Sequence, residues 1–442
     1  MTVPTAAPLS HPFTPGSVRA AFSYRDFRLV WIGLLASNIG TWMQIVALPA
    51  YVQRRTGSAA AVGLMVFAQL GPLLLLSIPG GILANRFPRR PWLITMQSAQ
   101  IVFSLGLAAL VAQHAPLAAL FGVQLLIGIA NALNAPALQA SIPLLLDRRD
   151  LPGAIALNSA SLNGSRVIGP VIAALLGLLG VTVSQLFVIN AATYLFVIAA
   201  LAVVHIPVIV DRYGDQGWRQ LTVGVRIARS RPILARILLS MALFSFFSLP
   251  YVGLFPAVAE LNFGIDAGSP AYKWLYATWG LGACLGALGT GTLFAGVDKR
   301  RLITPGFLGF AVSLAAFALV SVPAPAFPIG FVLGFCYFLT ATGLLTVLQE
   351  SIEDHERAVV MSLWFMAFGG TVPIGNLVFG PLMDHIGARW IMLGGALFAV
   401  FLAWWCNLDA PRWRRSGEQP RRKPLEPGDP AALDEYGVVA GD

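Results

Sequence analysis

The chain has 442 residues, 57% of them hydrophobic and only 11% charged, with a net charge of +9 and a mean hydropathy of +0.74. Soluble domains carry about 25% charged residues, so this balance excludes an ordinary soluble enzyme or binding module. It marks a polytopic membrane protein, because a run of about 20 apolar residues crosses the hydrocarbon core as a helix that satisfies its own backbone.

Residues 1–27 contain Pro, Ser and Thr but no apolar core of a signal peptide, which predicts a cytoplasmic amino-terminal segment. Twelve apolar runs follow, centred near Gly40, Gly71, Ser104, Asn131, Arg166, Leu195, Phe246, Cys284, Ala315, Phe338, Gly370 and Val400. They predict an all-α membrane protein of twelve transmembrane helices in two six-helix bundles, 28–206 and 233–410. A basic, amphipathic stretch at 207–232 reads as the cytoplasmic linker, and the charged, Pro-rich tail 411–442 as disordered. With the amino terminus inside, 24 of the 29 Lys and Arg fall in inner segments and four in outer ones, leaving Arg166 within a span. That asymmetry predicts both termini in the cytoplasm and a positive surface facing anionic lipid headgroups, with no nucleic-acid motif. Two matches at nearly one offset suggest duplication: Gly81 with Arg89 and Arg90 against Gly291 with Lys299 and Arg300, and Gly169-Pro170 against Gly380-Pro381.

Within the spans, polar residues are few. The first has a stripe of Ser37, Thr41 and Gln44 with Asn38 beside it, and the fourth has Gln124 and Asn131 with Asn134 at the edge. Buried amides serve either as glue between helices or as substrate contacts. The fifth aligns Ser159, Asn163, Arg166 and Pro170 on one face. An arginine at mid-membrane costs about 2.5–3.5 kcal/mol on insertion scales and must face a cavity or a partner. It either binds an anionic or acceptor-rich substrate or ties the fifth helix to its neighbours. Asn376 stands one repeat away from Arg166. Trp42, Phe246, Phe247, Trp279, Tyr337 and Trp364 are candidates to wall an apolar site, or plain packing. No Asp or Glu falls near mid-span, so a proton carrier would be Glu260 or Asp384 at outer helix ends, or the substrate itself. Cys284, Cys336 and Cys406 make no metal-ligand spacing, and no nucleotide loop or catalytic triad is evident; neither a cofactor nor a metal is expected.

The stretch "GGILANRFPRRPWLI" resembles the loop between spans two and three of the major facilitator superfamily, Gly-x-Leu-Ala-Asp-Arg-x-Gly-Arg-Arg. Residues 24–64 and "LNSASLNGSRVIGPV" (157–171) resemble its enterobactin-exporter-like efflux branch. The resemblance implies a monomeric, proton-driven exporter of a siderophore, drug or secondary metabolite working by alternating access. The alternatives are an importer of a small anionic metabolite and a membrane sensor or assembly factor that no longer transports. Asn85 replaces the motif's Asp and Pro88 its Gly. A cytoplasmic gate follows: Gly81, Asn85, Arg86, Arg89 and Arg90 against the acidic loop Glu350, Glu353, Asp354 and Glu356, and, by the repeat, Asp147 and Asp150 against Lys299 and Arg300.

Overall fold

The computed structural model describes residues 13–204, 206, 217–353 and 356–410, and every regular element among them is a helix. In the first half α1 (Val18–Ser23) precedes α2 (Arg25–Thr56), α3 (Ala59–Arg86), α4 (Arg89–Ala112), α5 (Leu117–Ser141), α6 (Leu151–Leu178) and α7 (Val183–Val203). In the second, α8 (Gly217–Ser230) leads to α9 (Pro232–Phe247), α10 (Pro250–Gly253), α11 (Phe255–Phe263), α12 (Pro270–Gly291), α13 (Lys299–Leu319) and α14 (Pro323–Glu350). Then come α15 (Arg357–Phe365), a π-helical turn at Met366–Gly370, α16 (Thr371–Ile386) and α17 (Ala388–Trp405). The expected disordered tail and residues 207–216 of the expected linker lie outside the described residues.

Local chemistry sets the boundaries. Ser58 and Ser269 cap α3 and α12 by accepting from Ala61 N and Tyr272 N, and Thr182 forms a capping box with Gln185 on α7. Gly57 ends α2 in the left-handed region at φ 61°, which allows the tight reversal into α3.

Among the described residues ten helices are long and apolar enough to cross a membrane, or eleven if the α8–α9 pair, bent by 115°, counts as one. Two of the twelve expected runs explain the difference. The run near Phe246 is broken, because Pro250 and Pro256 each stop a helix and divide it into α9, α10 and α11. The run near Cys284 is a 22-residue helix, α12, whose Lys273, tyrosines, threonines and glycines lower its hydropathy. Val312, Leu397 and Trp404 are each about 70% exposed on the outer surface, as lipid-facing side chains are.

The halves pack differently inside. In the first, α2 lies against α6 and α7, α3 against α5, and α4 against α5 and α7. An amide network ties α2, α4, α5 and α7: Gln44 Oε1 accepts from Asn190 Nδ2 at 2.6 Å and Ser104 Oγ at 3.4 Å, and Gln44 Nε2 donates to Gln124 Oε1 at 3.3 Å. The second half is held by rings instead; Phe244 meets Phe307 and Phe310 edge-on at centroid distances of 5.1 and 4.7 Å. Between halves, two helix pairs form seams, α3 with α16 and α6 with α12. Both rely on glycine for close approach: a Cβ at Gly380 would sit 2.8 Å from the Ala59 carbonyl, and one at Gly280 3.1 Å from the Arg166 carbonyl.

Candidate functional site: a cavity between the halves

A cavity of about 260 Å³ lies between the two seams and takes its walls from both halves. From the first come Trp42 and Pro49 of α2, Gln69 of α3 and Arg166 of α6; from the second, Gly253 of α10, Tyr272, Tyr276 and Trp279 of α12, Tyr337 of α14 and Phe368 of the π-helical turn. The irregular backbone at α10 and at the π turn is therefore where the chain borders this space, as unpaired backbone in a membrane must.

Among the described residues Arg166 is the cavity's one charged wall residue. Its guanidinium lies over two rings, 4.8 Å from the Trp42 centroid and 4.3 Å from that of Phe338. Nε is buried and has no hydrogen-bond partner. The arginine is held by cation–π contacts while part of its hydrogen-bonding capacity is unused.

The other expected substrate contacts are placed elsewhere. Gln44 belongs to the amide network of the first half. Asn163 Nδ2 donates to the Ser159 carbonyl of its own helix at 3.0 Å, and Asn38 Nδ2 to Ser161 Oγ at 3.3 Å. Asn131 is exposed, whereas Asn134 is buried with Oδ1 unpaired. Asn376 is fully buried against Gly253, both of its amide atoms unpaired, behind the wall rather than on it. Of the expected aromatics, Trp42, Trp279 and Tyr337 line the space. Phe246 and Phe247 pack with Phe379, and Trp364 stacks behind Phe368. The sequence reading missed Tyr272, Tyr276, Gln69 and Phe368. Tyr272, Tyr276 and Trp279 recur at i, i+4 and i+7, a stripe that was legible but has no polarity contrast with the apolar residues around it.

The molecule has one end bearing the start of α2 and the expected gate, called here the terminal face, and an opposite far face. At the far face the halves are bonded. Asp384 at the end of α16 accepts from Ser58 Oγ and Ala59 N at 2.7 Å each and from Ala60 N at 3.0 Å, capping α3 from the other half. Gln53 Nε2 donates to Glu260 Oε2 at 2.9 Å, and Arg54 pairs with Asp266 at 3.2 Å. The buried Lys273 ammonium lies beside Gly177 in the last turn of α6. The expected outer-end acids, Glu260 and Asp384, thus both bridge the halves.

At the terminal face α3 of the first half touches α8 of the second, and the described gate residues also make bonds within their own half. Arg89 donates to the Ala140 carbonyl, and Arg90 to those of Leu201 and Ala202. Glu353 and Glu356 take Arg231 at 3.1 and 2.9 Å, while Glu350 is exposed. Lys299 Nζ donates to the carbonyls of Phe294, Ala295 and Val297, and Arg300 N donates to the α13 cap, Asp298. Asp147 meets Arg149 at 3.6 Å. Asp150 is fully buried and accepts from Gly16 N at 2.8 Å and Tyr24 Oη at 2.9 Å, docking the amino-terminal segment on α6. Burial, and then that hydrogen bond, push the Tyr24 phenol up. Gly81, Asn85 and Arg86 fall in the last turns of α3; their side chains, and all of Asp354, lie outside the described residues.

A multi-pass helical membrane protein with a cavity between two halves has the architecture of a major facilitator transporter. The chain belongs to the transmembrane secretion effector family of that superfamily, whose match spans residues 16–434, and to its enterobactin-exporter-like branch; it is a transporter and not an enzyme. It is 28% identical to the enterobactin exporter EntS of Escherichia coli O1:K1 / APEC over 360 residues, covering 80% of this chain and 81% of that protein. EntS of Shigella boydii serotype 18 is similar to the same extent, 28% over 360 residues, with coverage of 80% and 81%. In fold the chain is similar to a bacterial homolog of the human lysosomal transporter Spinster in an inward-facing and unoccupied conformation, with a TM-score of 0.69 at 15% identity over 90% of this chain and 99% of that one. The nucleoside transporter NupG gives a TM-score of 0.66 at 14% identity, covering 86% of this chain and 98% of that one.

Proposed function

We propose that this chain is a proton-driven secondary transporter of twelve spans in two six-helix bundles, working as a monomer in a bacterial inner membrane. It exports a small amphipathic organic molecule by alternating access, with both termini cytoplasmic. The observation that carries this reading is a cavity between halves that are bonded to each other at the far face through Asp384, Gln53 with Glu260, and Arg54 with Asp266. With the amino terminus inside, that state is closed to the outside. The seams support two equivalent bundles: exchanging the halves turns the α3–α16 contact, second span to eleventh, into the α12–α6 contact, eighth to fifth. Helices occupy all twelve expected centres, although not all are apolar enough to count alone. Export is supported by the similarity to enterobactin exporters, and exchange against protons by the resemblance of Gly169-Pro170 to an antiporter motif.

The test is flux in proteoliposomes. With a pH gradient imposed, protein-dependent movement of 1-naphthoate, collapsing when an uncoupler removes the gradient, is the expected result. Absence of gradient-dependent movement for 1-naphthoate, and also for enterobactin and ethidium as probes of other size and charge, would overturn the reading in favour of a non-transporting role.

A further inference from the structure

We propose that the cavity binds a planar aromatic monoanion of one or two fused rings, its acid group on Arg166 and its ring on the aromatic wall. This inference names a substrate class for the transport reading above and rests on it. Three observations carry it.

The first is charge. Among the described residues Arg166 is the one ionic side chain on the cavity wall, with no Asp, Glu or second Lys or Arg beside it. The guanidinium lies over the rings of Trp42 and Phe338, and its buried Nε is unpaired. Rings hold the cation in place but do not neutralise it or take its N–H donors. A carboxylate does both, and a planar guanidinium presents donors in the fork that a carboxylate matches. In a space of low dielectric a neutral or cationic ligand would leave that charge uncompensated.

The second is shape. Trp279, Tyr337, Phe368 and Trp364 form a ladder of nearly parallel rings: neighbouring planes differ by 23°, 14° and 10°, with centroids 6.2, 6.4 and 6.2 Å apart. These residues come from α12, α14, the π turn and α15, so the ladder is a tertiary construction and not the periodicity of one helix. The three that reach the cavity, Trp279, Tyr337 and Phe368, hold their planes in nearly one orientation, which suits a flat ligand lying parallel to them, since offset stacking is worth about 0.5–1.5 kcal/mol beyond area burial.

The third is size. An apolar cavity of about 150 Å³ takes one benzene ring. At about 260 Å³ this one has room for a ring, its acid group and a second ring, and not for an assembly of several separate rings.

The test uses the full chain in nanodiscs and calorimetric titration of three probes with one ring system: 1-naphthoate, its neutral amide 1-naphthamide, and the cation 1-naphthylmethylammonium. The expected order is naphthoate at least tenfold tighter than naphthamide, with the ammonium weakest. Pyrene-1-carboxylate should bind at least tenfold more weakly than naphthoate. Arg166→Gln should bring naphthoate and naphthamide within about threefold of each other, and Arg166→Lys should retain part of the preference. Wild-type protein that binds the amide or the ammonium as tightly as the acid would overturn the assignment of charge, a result independent of whether any variant folds. Equal affinity for the pyrene acid would overturn the size limit. Binding is read without a gradient, so this inference and the transport reading fail separately. Anion preference without flux of any probe removes transport and leaves the site; flux without anion preference removes the site and leaves transport.

Discussion

The two faces of this molecule use the same residue types to opposite effect. At the far face, Asp384 reaches across to the first amides of α3, Glu260 takes a buried amide from α2, and Arg54 pairs with Asp266, all between halves. At the terminal face, which is far richer in arginine, Arg89 and Arg90 cap carbonyl ends in their own half and Arg231 takes both Glu353 and Glu356 in its own. The number of charges at a face therefore does not tell which face is closed. Geometry does: a short carboxylate aimed at a helix N-terminus meets donors that are already fixed in place, whereas a long arginine side chain satisfies itself on the nearest free carbonyl. There is also an inversion. In the superfamily motif an Asp at the end of the second span faces the positive end of the eleventh, and here that position holds Asn85. The structure shows the mirror contact at the other face, where Asp384 at the end of the eleventh span faces the positive end of the second.

If the far face is the latched one, weakening it should open the molecule outward in proportion to what each contact contributes. Asp384→Ala removes three acceptor bonds and should have the largest effect, about 2 kcal/mol at the upper end for a helix cap, or up to about thirtyfold in the balance of states. Spin labels at positions 56 and 385 should report it as a longer distance population; an unchanged distribution would count against the cap as a latch. Gln53→Leu removes one bond to a carboxylate that keeps the Ala267 amide, so a smaller shift of about 1 kcal/mol, near fivefold, is expected by the same labels. A double-mutant cycle with Glu260→Gln should return most of that as coupling. Strengthening the other face sharpens the contrast: Asn85→Asp restores the carboxylate of the superfamily motif, which by that resemblance faces the start of the eleventh span, and should favour outward opening by about 0.3–1 kcal/mol, read as greater thiol labelling of cysteines at the far mouth. The smallest effect belongs to Arg54→Ala. Its ion pair is more than half exposed on both sides, so a shift under about threefold is expected, and 0.5 M salt should erase it. A large, salt-insensitive change on losing Arg54 would show that the latch is electrostatic at long range and not built from short caps.

How much of this could be read beforehand varies by residue. That Arg166 must be special followed from its charge in an apolar run, because lipid offers an arginine no partner. That Gln44 would be internal glue and Tyr276 a cavity wall did not follow. In a membrane helix the lipid-facing and core-facing sides are both apolar, so the periodicity that identifies the inner face of a soluble helix has no contrast to work with. The broken seventh span was only half legible: Pro250 and Pro256 are plain in the chain, but the apolar residues around them read as one continuous run.

The sequence by itself determined the membrane class, the order of the helices, the charge asymmetry of the loops and the one intramembrane cation, since each of these depends on how a residue type partitions between water and lipid. Tertiary structure alone decided which half each gate charge bonds to, which rings meet across α12, α14 and the π turn, and that Asp384 caps a helix 325 residues away. Such choices are settled by which of several chemically equivalent partners comes within hydrogen-bond or stacking distance. That depends on how the helices pack, a property no single segment carries.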